Sequence, residues 1–205
     1  MPYRDEVKRT VDWMTGSVEA CETHPMNMAV ATLICAYCEA LGAHLRASQR
    51  ETGESELNFT AFIRSYMTHF MASGRESTGN AKKKRVRVNR EVEPARSGDH
   101  KELEYPEILY KKFRCGFAHE FFSKHSTGII RDTKDHQFPY IIDNEPEYDL
   151  VLNLTHLVPD FLNAARRFRA DVLADAEVPL IQLSGTTTVR AGHAWDQRGE
   201  FLLRK

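Results

Sequence analysis

The sequence predicts a mainly α-helical fold, an up-and-down bundle of four to five helices with a small β-hairpin or an extended addition at its C-terminal end. Three observations lead there. Apolar residues recur every three to four positions across several stretches of helix length. Strand-like runs are few and short. The composition is that of an ordinary globular chain, 41% hydrophobic and 28% charged in 205 residues, which is enough to bury a core.

Taken in order, Val7, Val11, Met14 and Val18 place a first helix over residues 4–21, interrupted by Gly16 and closed by His24-Pro25. Val30, Leu33, Ile34, Tyr37, Leu41 and Leu45 share one face of a second helix. Residues 48–56 read as a polar loop. Asn58 reads as the N-cap of a third helix, with a stripe of Phe59, Phe62, Ile63, Tyr66, Met67 and Phe70 that ends at Ser73-Gly74. Residues 74–103 are polar and contain the run Lys82, Lys83, Lys84, Arg85, Val86, Arg87, Val88, Asn89, Arg90, with six basic residues in nine and no acid. A connection this long is expected to be functional or disordered, and the basic run could hold a phosphate backbone, as in RNA. Pro106 suits the first turn of a fourth helix that reaches about Ser123. The apolar runs at 128–132 and 139–143 would make a small hairpin. Residues 149–175 read as the last long helix. Leu154, Leu157, Phe161, Ala165, Phe168, Val172 and Leu173 face inward there, with Pro159 in the first turns or at a kink. The predicted organisation is a helical domain over 1–177, containing the basic loop, followed by an extended tail or hairpin over 178–205.

Several function classes fall away. The formal net charge is −1, so any electrostatic partner site must be local. No run of about 18 apolar residues is read in the sequence, so no membrane span is expected. The start, MPYRDEVKRT, is too charged for a signal peptide. Cys21, Cys35, Cys38 and Cys115 lie in or beside apolar helical patterns, as reduced thiols of a cytoplasmic protein would. Cys35-x2-Cys38 lacks the second pair that a structural zinc site needs and reads as core. The histidines show no ligand spacing. Glycine-rich phosphate loops, Gly-x-Ser-x-Gly and His-Glu-x-x-His are all missing, so neither a metal nor a cofactor is expected.

The fourth helix holds the most informative segment. On a straight α-helical wheel, Leu109, Phe113, Phe117 and Phe121 form a core face. The other side carries Cys115, Ala118 and Phe122, with Arg114 and His119 flanking them roughly 140° apart. A helix that is apolar on two faces is buried on both, against its own chain or against a second protomer across a two-fold axis. In the symmetric case Cys115, Ala118 and Phe122 form a dimer interface, and two Arg114 and two His119 converge. Arginine suits phosphate and histidine moves protons near neutral pH. Together they could cleave RNA without metal, by attack of a 2′-hydroxyl on the adjacent phosphate. In the other case they cap a packed surface.

The segment Leu109-Tyr110, then Arg114-Cys-Gly-Phe-Ala-His119-Glu120, resembles the Arg-x4–6-His signature of the HEPN superfamily. Tyr37-Cys-Glu-Ala-Leu-Gly42 is similar to the helix that precedes it in a bacterial branch of that superfamily. The resemblance covers about residues 26–173. It implies an α-helical bundle, commonly dimeric, and a metal-independent ribonuclease of toxin–antitoxin, antiviral or RNA-processing type. Arg114 and His119 match the two signature residues. Many nucleolytic members carry a polar residue after the arginine, where this chain has Cys115, and the superfamily also has non-catalytic binding members. The expected function is therefore an endoribonuclease acting at a dimeric Arg114/His119 site. The alternative is a module of the same fold that binds RNA, a nucleotide or a protein, with an antitoxin or a nucleotidyltransferase among the partners.

Overall fold

The computed structural model describes residues 2–24, 26–46, 54–69, 85–87, 102–120, 127–131, 141–145, 148–182 and 185–191. Among them the chain is mainly helical, with five helices and short strands, as the periodicity predicts. The helices are α1 (Pro2–Glu22), α2 (Asn27–Leu45), α3 (Ser55–Tyr66), a composite α4 (Tyr105–Ile108, Leu109–Arg114, Cys115–Glu120) and α5 (Leu154–Ala174).

α2 is the centre of the core, because almost all of its surface is apolar. Val30, Ile34, Cys35, Cys38, Leu41 and Leu45 are buried against α1, α3 and α5. Glu39 is its single charged residue. By length and composition alone α2 could cross a membrane, with a mean hydropathy of 1.5, but 61% of that window is buried inside the fold. The expectation of no such stretch is corrected on the composition. The burial is that of a core helix. α2 and α3 approach closely at Gly42, where a Cβ would lie 1.8 Å from the Asn58 carbonyl oxygen. α3 buries Phe59, Phe62, Ile63, Tyr66 and then Met67. Asn58 is not its N-cap: the helix begins at Ser55, and Asn58 is a buried interior residue whose Oδ1 accepts from Arg46 Nη1 at 2.7 Å. Phe70 and Ser73-Gly74 lie outside the described residues.

α1 buries Val7, Val11, Met14 and Val18 and runs through the exposed Gly16 unbroken. It packs on α5, and three ion pairs border that seam: Arg166–Glu19 at 2.5 Å, Arg169–Asp12 at 3.0 Å and Arg4–Asp175 at 3.5 Å. α5 starts later than the apolar pattern suggests. Residues 148–153 form a strand, and Asn153 caps the helix by accepting from the Thr155 amide at 3.0 Å. Pro159 is exposed within α5. The helix closes at Asp175 in the left-handed region (φ 54°), and the Ala176 amide returns to the Asp171 carbonyl.

Among the described residues the strands form three small sheets. β3 (Thr127–Ile130), β4 (Ile141–Glu145) and β5 (Tyr148–Asn153) make a three-stranded sheet in the order β3-β5-β4. The expected hairpin of the two apolar runs does not form, because β5 lies between them, parallel to β3 and antiparallel to β4. At the C-terminal end β6 (Glu177–Gln182) and β7 (Gly185–Arg190) form the hairpin that the pattern allowed. It is fastened to α3 by the Ile181 amide, which donates to Ser65 Oγ at 3.1 Å. β1 (Arg85–Arg87) pairs antiparallel with β2 (Glu102–Glu104), so part of the predicted loop is strand.

Candidate functional site

α4 is held by its apolar side: Ile108, Leu109, Phe113 and Phe117 are all buried. Its middle departs from α geometry. Leu109–Arg114 is a π-helical turn, and the Cys115 amide donates to the Tyr110 carbonyl five residues back. This corrects the straight wheel. A π turn amounts to one inserted residue, worth about 100° of rotation. On an unbroken α-helix Arg114 would lie about 140° from Leu109, and with the insertion it lies at about 40°. Phe117 moves from about 80° to about 20° from Leu109, which lines it up with the core stripe.

The rotation takes Arg114 to α2. Its Nε and Nη2 both donate to Glu39 Oε2, at 2.7 and 2.6 Å. Glu39 Oε1 accepts from the Ser55 hydroxyl at 2.7 Å. The guanidinium stacks on the Tyr110 ring, 5.5 Å from its centroid, and Tyr110 in turn packs on Phe59 and shares a hydrogen bond with Ser55. Burial opposes the Arg114 charge, but Glu39 outweighs it, and the pKa of Arg114 is raised. Burial, with Cys115 and Glu39 adding to it, holds the Tyr110 hydroxyl above its ordinary range. Cys35, one turn before Glu39, is pushed well up by burial, which the nearby Arg114 only partly offsets.

Arg114 stands at the wall of an open groove of about 470 Å³. α2 lines it with the small side chains of Thr32, Ala36, Ala40 and Ala43, α3 with Ser55 and Asn58, and α4 with Phe117 and Arg114. A guanidinium has five N–H donors. Glu39 uses two, so three remain without a protein partner among the described residues. Such donors suit an oxyanion, and phosphate in particular.

The other predicted site residues fare differently. The backbone of His119 and Ala118 lies in the last segment of α4, but their side chains are outside the described residues, as is all of Phe122. Cys115 is half-buried and free. Arg85 and Arg87 lie in β1, with their Cα atoms opposite those of Glu104 and Glu102, and β2 leads directly into α4. Lys82, Lys83, Lys84 and Arg90 lie outside the described residues. Among the described residues, no group of three His, Cys, Asp or Glu side chains could hold a metal. Sequence reasoning missed Glu39, Ser55 and the stacking role of Tyr110. One signal was available for Glu39, the lone charge on an otherwise apolar helix. Comparison with family models, with curated proteins and with solved structures finds no match to this chain.

Proposed function

We propose that this chain is a HEPN-like, metal-independent endoribonuclease that works as a homodimer, with Arg114 holding the scissile phosphate and His119 transferring protons. One observation carries the reading. Arg114 is fixed by Glu39 and Tyr110 at the wall of an open groove, with three N–H donors left over, on the helix that bears His119. A preoriented guanidinium loses little freedom on meeting a phosphate, and an imidazole near neutral pH can serve as base and then as acid. The test is cleavage of a pool of single-stranded RNA in EDTA. Products ending in a cyclic 2′,3′-phosphate are expected from the wild type and not from His119→Ala. Equal inertness of the two proteins across broad RNA pools would sink the idea.

A second reading has its own support. Glu39 already occupies one fork of Arg114, the same edge that a phosphate could take. On this reading the protein binds RNA, or a partner such as an antitoxin or a nucleotidyltransferase, without cutting. A salt-dependent RNA affinity that is abolished when Lys82–Arg85 are neutralised, with no cleavage, would favour it.

A further inference from the structure

We propose that the π turn of α4 is the positioning device of this site, and that the residue it inserts is what aims Arg114 at Glu39 and the groove. This rests on the reading that Arg114 is the working residue of the groove. The turn helps α4 meet two demands on neighbouring parts of its surface. Leu109, Phe113 and Phe117 must all reach the core, and all three are buried. Arg114 must at the same time reach α2, which it does through two short bonds to one carboxylate oxygen. On an unbroken α-helix these four side chains would spread over about 140°, with Arg114 about 60° beyond Phe117, and the inserted residue brings Arg114 to within about 40° of Leu109.

The turn is anchored on both sides. Before it, Ile108 and Leu109 are fully buried, and Tyr110 is held between Phe59 and the Arg114 guanidinium. After it, Phe113 packs on Phe117 with ring centroids 6.2 Å apart. Neither half can rotate to absorb the extra residue without giving up a buried side chain, so the wide turn stays at Leu109–Arg114. Lys111, half-buried in the middle of this turn, is the residue whose removal restores α register with least damage to the core.

Two measurements test this. In the intact, isotope-labelled chain, scalar coupling across the hydrogen bond of the Cys115 amide should reach the Tyr110 carbonyl. Coupling to the Lys111 carbonyl instead would overturn the proposal without any variant. The second measurement is a double-mutant cycle of Glu39→Gln and Arg114→Gln on unfolding, in the full chain and in the Lys111 deletion. Coupling of about tenfold in the unfolding equilibrium constant is expected in the full chain, falling below about twofold in the deletion. Coupling that survives the deletion would refute the aiming role. If the deletion variant fails to fold, the hydrogen-bond coupling still decides. Neither readout uses RNA, so a wild-type chain inert on RNA would remove the ribonuclease reading and leave this one standing.

Discussion

Glycine is replaced by alanine at two helical positions with opposite expected outcomes, and the contrast tests the packing of the groove's two main helices. At Gly42 an added Cβ would lie 1.8 Å from the Asn58 carbonyl oxygen and 2.5 Å from its carbon. Ordinary contact begins at 3.4 Å, so the α2 and α3 backbones would have to part by about 1.6 Å. No side-chain rotation can relieve the clash, because the obstacle is main chain. Overpacking a core usually costs 1–3 kcal/mol, and a clash with backbone belongs at about 3 kcal/mol or above. At Gly16 nothing lies within 4 Å and the residue is exposed, so alanine should stabilise the helix by about 0.5–1 kcal/mol. The assay is urea unfolding followed by far-UV circular dichroism. With a slope of about 2 kcal/mol/M, the Gly42→Ala midpoint should fall by roughly 1.5 M and the Gly16→Ala midpoint should rise by roughly 0.3–0.5 M. A Gly42→Ala midpoint within about 0.3 M of the wild type, at unchanged slope, would show that α2 and α3 are not in the contact described.

Three further outcomes are expected. Glu39→Gln should cost about 1–2 kcal/mol, between the worth of an exposed pair and that of a fully buried one, since both side chains are about four-fifths covered. The cost should vanish in an Arg114→Gln background. Asn153→Ala should cost about 1 kcal/mol by removing the α5 cap, read as a lower melting temperature. Stability should also fall at alkaline pH. Burial raises the folded-state pKa of Cys35, so its contribution is complete below the ordinary thiol value of 9.0 and is lost as pH rises above it, where only the unfolded thiol ionises. The loss is about 1.4 kcal/mol per pH unit for each such group. Cys35→Ala should flatten the slope between about pH 9.5 and 10.5 by that amount, and an unchanged slope would contradict the burial.

What the sequence revealed follows the range of each interaction. The spacing of Val7, Val11, Met14 and Val18, and the apolar run of α2, are local signals, and both helices form where they point. Residues 149–153 read as helix in the sequence because Leu150, Val151 and Leu152 also fit the leading turns of one. Only pairing with β3 and β4, distant in sequence, makes them a strand. Asn58 has the chemistry of a cap, but the close approach at Gly42 places it inside α3. The largest error concerns α4. A wheel with a fixed step cannot show an inserted residue, so it sets Arg114 at the border of the second apolar face and leaves Glu39, 75 positions away, with no apparent partner.

On the proposed reading, the Glu39 pairing also bears on how RNA is sensed. Arg114 and Glu39 together carry no net charge, so the groove offers a phosphate short hydrogen bonds but little long-range attraction. On the same reading, attraction at a distance is assigned to the basic run 82–90. The two contributions separate by salt. Each phosphate neutralised by a lysine or arginine adds about 0.9 to the slope of log affinity against log salt on duplexes and about 0.7 on single strands. Neutralising Lys82–Arg85 should therefore flatten the salt slope, by roughly 0.7 for every phosphate that these side chains neutralise in the wild type. Arg114→Lys keeps the charge but removes the planar fork. It should leave the slope within error of the wild type while lowering affinity or cleavage at every salt concentration. Equal flattening by both changes would mean that Arg114 acts as one more free surface cation, and that its bonds to Glu39 do not persist when RNA is bound.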